Sequence, residues 1–187
     1  GLADDQPIDV KSIFPNAKSI VLEIGFGMGE ATSKIAARMP DVGFIGVEVH
    51  RPGVGKLMSQ LVENGAENVR IIHGDVYDVI TKQLANNSLD GIHIFFPDPW
   101  QKKRHHKRRL ITNEFLELIY PKLKVNGYVH IATDWVPYAK WIADVFGGNS
   151  KFKGGEVIRP DWRPITRFEG QGIDKDHRVT DFRYTKN

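Results

Sequence analysis

The feature that most constrains the fold is a repeated alternation of short apolar segments with amphipathic ones. Each apolar run is rich in β-branched residues and is followed by a segment with helical spacing. This alternation predicts parallel strands joined by crossover helices, in an open sheet covered on both faces. The predicted parallel strands are Ser19–Gly25, Gly43–Val49, Asn68–Asp75, Gly91–Phe96 and Gly127–Thr133.

The helical and C-terminal segments complete this pattern. Two later segments, within 155–159 and 178–185, are predicted to be additional antiparallel strands. A chain of 187 residues with 41% hydrophobic residues fits one domain over 1–187, with residues 1–18 as an N-terminal extension. The chain has no cysteine, which excludes disulfides and thiolate sites and fits a cytoplasmic protein. The predicted helices are Glu30–Met39, Pro52–Gly65, Tyr77–Leu84, Asn113–Leu123 and Val136–Phe146.

Three glycines follow the first predicted strand. The stretch "EIGFGMGE" places Gly25, Gly27 and Gly29 in the first strand-to-helix turn. Because glycine lets the backbone turn tightly and approach a ligand closely, this turn is a candidate ligand-binding loop. The spacing is G-x-G-x-G and not the dinucleotide fingerprint G-x-G-x-x-G, so a tight turn without a ligand stays an alternative.

Four carboxylates accompany that turn. Glu23 lies inside a predicted buried strand, where an unpaired carboxylate is costly. Glu48 lies 23 residues after Gly25, near the spacing of an acid that binds ribose hydroxyls. Asp75 and Asp98 end the third and fourth strands. Because the carboxyl ends of parallel strands meet at one edge, we expect all four acids at the same rim of the sheet.

An acidic rim above a glycine turn selects among ligands by charge. It would repel a pyrophosphate, which disfavours a nicotinamide-dependent dehydrogenase. It would favour S-adenosylmethionine, whose sulfonium and ammonium groups are cationic and whose ribose and adenine need acceptors. Mg²⁺ is the main rival, but the acids are spread over four strands, so no metal is expected. For Asp75, a simple helix cap is the alternative.

The segment "FFPDPWQKKRHHKRR" joins a constrained corner to a dense run of positive charge. Pro97 and Pro99 restrict the backbone on both sides of Asp98, and Trp100 offers a flat face for stacking. Six Lys or Arg residues follow within eight positions, although the net charge of the chain is only +3. Such segregated charge favours phosphate binding over a solvated face, and self-repulsion predicts a mobile loop. The predicted phosphate contacts are Lys103, Arg104, Lys107, Arg108 and Arg109.

These motifs resemble the bacterial tRNA (guanine-N7-)-methyltransferases over nearly the whole chain. The resemblance is carried by "LEIGFGMGE", "GVEVH", "HGD", "FPDPWQKKRHHKRRL", "ATDW" and "TRFE". It implies a Rossmann-like class I methyltransferase fold with a mostly parallel seven-stranded sheet, an antiparallel C-terminal strand and helices on both faces. It also implies that the cofactor is S-adenosylmethionine and that the product is 7-methylguanine at position 46 of the tRNA variable loop.

The resemblance also assigns roles to individual residues. Asp98 matches the proposed catalytic position, and 147–175 forms a substrate-side region. The implied substrate-binding residues are Lys102, Asp134, Thr166, Arg167, Phe168 and Glu169. The implied cofactor-binding residues are Glu23, Gly25, Gly27, Gly29, Glu48, Val49, His50, Asp75, Val76 and Asp98.

The chemistry of guanine leaves two roles open for the carboxylate. N7 has a lone pair and no proton, so its attack on a methyl group needs alignment rather than a general base. Asp98 would either accept from N1–H and the N2 amino group or stabilise the growing positive charge of the ring. Trp100 or Phe168 could stack on an extruded base.

Two further interpretations of the chain stay open. A non-enzymatic RNA-binding module explains the basic run alone. A methyltransferase for another RNA, a protein or a small molecule explains the acidic rim. The expected partner is tRNA, with no membrane and no obligatory protein partner, and the chain is expected to be a monomer or a homodimer.

Overall fold

A computed structural model describes residues 6–166 and 178–187 of the chain. Seven strands form one sheet: β1 Ser19–Ile24, β2 Val42–Glu48, β3 Val69–His73, β4 Leu89–Phe95, β5 Leu123–Thr133, β6 Phe152–Val157 and β7 Thr180–Lys186. The α-helices are α1 Val10–Ile13, α2 Glu30–Arg38, α3 Arg51–Asn64, α4 Val76–Asp78, α5 Asn113–Ile119 and α6 Val136–Gly147. A π-helical turn, Val79–Gln83, and two 3₁₀ helices, Lys103–Arg108 and Tyr120–Lys122, complete the regular structure of the described residues.

The sheet has the strand order β3-β2-β1-β4-β5-β7-β6. The first five strands run parallel, and β7 is antiparallel to both β5 and β6. The predicted fold class is therefore confirmed. The strand order reverses between β1 and β4, and in such sheets ligands bind beyond the carboxyl ends of the strands at this switch point.

Alternate residues of each strand point to opposite faces, and each face has its own apolar layer. On one face, Leu22, Ile92 and Ile131 are fully buried in the larger core, which also contains Phe115 and Ile142 from α5 and α6. On the other face, helices α2 and α3 cover the first strands with Ile35 and Leu57 against Val21 and Phe44. The amphipathic helices thus bury their apolar stripes on both sides of the sheet, as their spacing predicts.

Several elements differ from the sequence predictions. The helix predicted at Tyr77–Leu84 is the short helix α4 continued by a π-helical turn. The helix predicted at Asn113–Leu123 is α5, which ends at Ile119, where a 3₁₀ turn begins. Strand β5 begins at Leu123 instead of Gly127, since the pairing with β4 continues across an irregularity that contains Asn126 with a left-handed φ of 63°. The basic run is a 3₁₀ helix over Lys103–Arg108 and not an irregular loop. In the described part of the chain, no helix is both long enough and apolar enough to cross a membrane.

Candidate active site

A cavity of about 510 Å³ opens at the carboxyl ends of β1, β2 and β4. Its walls are the glycine turn after β1, the end of β2, the turn between β3 and α4, and the corner after β4. This is the switch point of the sheet, as expected for a ligand site in this topology. The predicted cofactor-binding residues found in the wall are Gly25, Gly27, Glu48, Val49, His50, Asp75, Val76 and Asp98.

The glycine turn leaves space for a ligand. Gly25 and Gly27 have left-handed φ angles of 67° and 56°, and nothing lies within 4 Å of the position of an added Cβ at either residue. The turn therefore presents bare backbone to the cavity, which fits close approach by a ligand. Gly29 has a different role, because an added Cβ would lie 2.6 Å from Cβ of Leu57. That glycine permits close packing of α2 against α3 and does not line the cavity.

Glu48 lines the cavity and is held in place by three hydrogen bonds from backbone N–H groups. Its Oε2 accepts from the N–H of Gly27 at 2.8 Å, and its Oε1 accepts from the N–H groups of Val49 and His50 at 2.8 and 3.0 Å. The side chain is therefore fixed, yet a carboxylate can accept about four hydrogen bonds in total. Glu48 keeps the capacity to accept about one further hydrogen bond, as from a hydroxyl of a ribose.

Asp75 combines the two roles that its position in the sequence suggested. Its Oδ1 caps α4 by accepting from the N–H of Tyr77 at 2.7 Å, and the residue also lines the cavity. Partial burial and the nearby charge of Asp75 raise the pKa of Tyr77, which keeps the phenol protonated as a donor. Val76 and Tyr77 add apolar surface to this wall.

The corner after β4 holds two residues in a left-handed conformation. Phe96 has a φ of 51° and Trp100 a φ of 43°, which is uncommon for large side chains. The N–H of Phe96 donates to the carbonyl of Ala132 at 2.8 Å, which ties the corner to the end of β5. Asp98 lies exposed at the cavity wall, and no described residue donates a hydrogen bond to its carboxylate.

Trp100 is held from the side of the basic helix. The guanidinium of Arg108 lies 5.1 Å from the centre of the indole ring, and His105 meets the ring edge-on at 5.9 Å. Arg108 itself lines the cavity together with Trp100 and Asp98. The corner and the basic helix therefore form one structural unit, since a cation–π contact joins them.

Glu23 does not lie at the rim with the other three carboxylates. It is only 2% exposed, its Oε2 has no hydrogen-bond partner among the described residues, and it is not part of the cavity wall. Burial raises its pKa to about 7. The prediction that all four acids share one rim is wrong for Glu23, because its strand position directs the side chain into the layer beneath α2 and α3.

The basic 3₁₀ helix displays most of its charge to solvent. Lys103, Arg104, Lys107 and Arg108 are exposed, as contacts to a phosphate backbone require. Arg109 is different, because it is 3% exposed and its Nε donates to the carbonyl of Pro99 at 2.8 Å. Its buried position is incompatible with the phosphate contact predicted for it, and the side chain instead fastens the corner from inside.

Three of the predicted substrate residues are described, and none of the three lies in the wall of the cavity. Lys102 is exposed just before the basic helix, and Asp134 follows the last residue of β5. Thr166 is half-buried at the end of the segment that follows β6. The remaining predicted substrate residues, Arg167, Phe168 and Glu169, lie outside the described residues.

Two residues of the site were not predicted from the sequence. Tyr77 lines the cavity although it was assigned only to a helix. Gly53, in the first turn of α3, lies so close to the glycine turn that an added Cβ would be 2.0 Å from the carbonyl oxygen of Gly27. A glycine directly after Pro52 at a helix start is the signal that could have revealed this contact.

Across 6–166 and 178–187, no three acidic or histidine side chains are grouped as a metal site would require.

The fold and the cavity indicate the class of protein, and solved structures have the same fold. The 16S rRNA methyltransferase KamB has a TM-score of 0.71 with 13% identity, over 97% of this chain and 95% of that one. A 30S ribosomal A1408 methyltransferase from an uncultured bacterium has a TM-score of 0.66 with 19% identity, over 100% and 96% of the two chains. The protein has the Rossmann-like fold of class I S-adenosylmethionine-dependent methyltransferases.

Sequence relatives define the family within that class. A family model described as "Putative methyltransferase" matches residues 17–182. The tRNA (guanine-N(7)-)-methyltransferase of Methylobacillus flagellatus is 49% identical over 93% of this chain and 75% of its own length. That of Streptomyces avermitilis is 47% identical over 98% of this chain, which spans 65% of that relative's length. The chain belongs to the tRNA (guanine-N7-)-methyltransferase family.

Proposed function

We propose that this protein transfers a methyl group from S-adenosylmethionine to N7 of guanine in tRNA, at position 46 of the variable loop. The observation that carries the proposal is the composition of one cavity wall. Glu48 and Asp75 lie on one side of that wall, and Asp98 and Trp100 lie on the other, next to Arg108 of the basic helix. One cavity thus joins acceptors for a cationic cofactor to a corner that continues into an RNA-binding surface.

The cofactor half of the cavity suits a ligand with a ribose and positive charge. The open backbone of Gly25 and Gly27 gives room for close approach, while Glu48 is held in place to accept from a ribose hydroxyl. Asp75 and Tyr77 supply an acceptor and a donor on the neighbouring wall. Bound there, S-adenosylmethionine supplies an electrophilic methyl group. The residues around it bind and orient.

Asp98 is available to the acceptor base. Its carboxylate is exposed, it receives no hydrogen bond from the described residues, and the rigid proline-flanked corner sets its direction. Guanine N7 has no proton to lose, so the carboxylate is not required as a base. It accepts from N1–H and the N2 amino group or stabilises the positive charge that grows on the ring. Both roles use an acceptor that has no other partner.

The basic helix brings the RNA to this corner. Its exposed Lys and Arg side chains contact phosphates, which supplies affinity and register without reading bases. The contact of Arg108 with Trp100 then connects phosphate binding to the cavity wall. Lys102, Asp134 and Thr166 are the described residues assigned to the acceptor side. Since tRNA is a cytoplasmic molecule in bacteria, we place the activity in the cytoplasm.

The decisive experiment identifies the product. The protein is incubated with methyl-tritiated S-adenosylmethionine and unmodified tRNA transcripts, and the digested nucleosides are separated by chromatography. The expected result is label in 7-methylguanosine, lost when guanosine 46 is replaced by adenosine. Label in another nucleoside or at another position would contradict the proposed site. Parallel incubations with ribosomal RNA or small molecules that take up label while tRNA does not would favour another substrate class.

A further inference from the structure

A buried ion pair lies beside the active site on the face of the sheet that carries Glu23. Arg163 is 1% exposed and Asp181 is 3% exposed. The Nε and Nη2 of Arg163 donate to the two carboxylate oxygens of Asp181 at 2.7 and 2.8 Å, a bidentate fork. His130 Nε2 lies 2.8 Å from the same Oδ1 and donates to it, because a carboxylate only accepts. We call Arg163, Asp181 and His130 the arginine anchor.

The charge state of this anchor follows from its contacts. Burial alone would raise the pKa of Asp181, but the hydrogen bonds from His130 and Arg163 and the charge of Arg163 hold it below its usual value. Asp181 is therefore ionised at neutral pH and bonded to donors on two sides. A buried ion pair of this kind often stabilises no better than apolar residues of the same volume, so a positional role is the stronger reason for its presence.

The anchor is connected to the corner after β4 through a strand pairing and a backbone hydrogen bond. Asp181 of β7 pairs with Ala132 of β5, and the carbonyl of Ala132 accepts the N–H of Phe96 at 2.8 Å. The guanidinium of Arg163 also lies 5.8 Å from the centre of the Phe96 ring. Phe96 has a left-handed φ of 51° and precedes Pro97 and Asp98. Arg163 thus contacts the strained residue that starts the corner.

The anchor also holds the segment that leads to Thr166, a predicted substrate-binding residue. The N–H of Arg163 donates to the carbonyl of Pro160 at 3.0 Å, and its carbonyl accepts from Arg159 at 2.6 Å. Trp162 is stacked on His93 at 4.8 Å with an interplanar angle of 12°. Adjacent side chains of this segment are therefore both inserted against the sheet. The buried Pro164 follows at once, and Thr166 lies only two residues further along.

We propose that the arginine anchor positions the methyl acceptor: Arg163 holds the segment Pro164–Thr166 and the ring of Phe96 in a fixed relation to Asp98. The inference rests on the proposed function, since it assigns Thr166 and Asp98 to the acceptor. Arg163 is a positioning residue and touches neither the cofactor nor the base. The cavity that binds the cofactor contains no residue of the anchor, so the two functions are separable.

The test compares Arg163→Lys with a matched control. Lysine keeps the positive charge but cannot form the fork or cover the Phe96 ring. The control is Asp90→Asn, because Asp90, like Asp181, accepts hydrogen bonds from two residues. These are the N–H of Ile20 at 2.8 Å and the Nζ of Lys124 at 2.9 Å. Asp90 lies at the amino end of the parallel strands, away from the cavity. Both variants remove part of an ion pair, and only one touches the anchor.

For Arg163→Lys we expect kcat for tRNA to fall at least tenfold. The Kd of S-adenosylmethionine should stay within about twofold, and the Kd of tRNA within about threefold because the basic helix is intact. Asp90→Asn should lower the melting temperature while leaving kcat within twofold. The proposal is overturned if kcat follows the loss of stability equally in both variants, or if cofactor affinity falls with kcat.

A second measurement does not depend on activity. Hydrogen–deuterium exchange should accelerate in peptides covering Phe95–Trp100 and Ile165–Thr166 in Arg163→Lys and remain unchanged in Asp90→Asn. Unchanged exchange in both peptides would refute the positioning role even if the protein proves to methylate another substrate. Conversely, if exchange is faster in Arg163→Lys but the wild-type protein makes no 7-methylguanosine, the anchor is supported and the proposed function is rejected. Should Arg163→Lys fail to fold, Arg159→Gln offers the same comparison from the other side of the turn.

Discussion

Arg108 and Arg109 are adjacent, yet their guanidinium groups lie in opposite environments. Arg108 is exposed and stacks on Trp100 at the cavity wall, whereas Arg109 is 3% exposed and lies 5.0 Å from the ring centre of Tyr138 and 4.9 Å from that of Trp141. Arg109 also donates to the carbonyl of Pro99. Arg108 lies on the exposed surface that we propose binds RNA, and Arg109 fastens the corner to α6. A run of identical charges thus contains two physical functions.

This division predicts the effect of Arg109→Ala. The variant loses two cation–π contacts and a hydrogen bond of a buried side chain, so the free energy of unfolding should fall by about 2–3 kcal/mol. Urea denaturation measures this loss. The salt dependence of tRNA binding should not change, because no phosphate contact is removed. A reduced salt slope with unchanged stability would show that Arg109 binds phosphate after all.

The exposed cations should behave in the opposite way. Replacing Lys103 and Lys107 by Gln should weaken binding of all tRNAs and lower the slope of log K against log salt by about one for each lost contact. Stability should be unaffected, since both side chains are exposed. Lys18→Gln is the control. Lys18 lies just before β1 and is an exposed cation that pairs with Asp41. An equal change of slope in the control would remove the specific role of the helix.

Asp98→Asn tests the role of the carboxylate at the corner after β4. The amide keeps the shape of the side chain but loses its charge and one acceptor, so methyl transfer should fall by two orders of magnitude or more, which corresponds to about 3 kcal/mol. The Kd of S-adenosylmethionine by calorimetry should stay within a few-fold, because Glu48 and Asp75 remain. Turnover close to that of the wild type would reject the assigned role.

Glu23 should make the stability of the cofactor-free protein depend on pH. The folded pKa of about 7 lies above the ordinary value of 4.5, so the folded state keeps a proton that the unfolded state has lost between these values. Stability should therefore decrease as the pH rises from about 4.5 to 7, by up to about 3 kcal/mol from this residue. Glu23→Gln should flatten that part of the profile and be more stable at pH 8. Parallel profiles for both proteins in thermal melts would disprove the burial argument.

Two glycines of α3 offer a matched pair. Gly53→Ala would place a Cβ 2.0 Å from the carbonyl oxygen of Gly27, so the turn and the helix must separate. We expect the Kd of S-adenosylmethionine to rise at least tenfold. Gly55→Ala meets nothing within 4 Å and should leave the Kd unchanged while stabilising the helix by about 0.5–1 kcal/mol. If calorimetry finds the same Kd for both variants, the contact between α3 and the turn does not matter for binding.

Much of the site was predictable because it depends on local order along the chain. Glycines after a strand, acids at strand ends and a proline-flanked carboxylate are all adjacent in sequence to the elements that position them. Glu48, Asp75 and Asp98 therefore meet at one cavity as predicted. Tyr77 and Gly53 were missed, because their roles depend on how helices pack against the turn.

The sequence by itself determined the alternating strands and helices, and with them the sheet and the rim where its parallel strands end. Those features follow from local periodicity and from the rule that crossover connections place parallel strands side by side. Only the tertiary structure decided which charges are buried. Glu23 points into the layer under α2 and α3, Arg109 is covered by α6, and Arg163 reaches Asp181 across the face of the sheet. The burial of a side chain depends on elements distant in sequence, and no local pattern of charge encodes which of them will cover it.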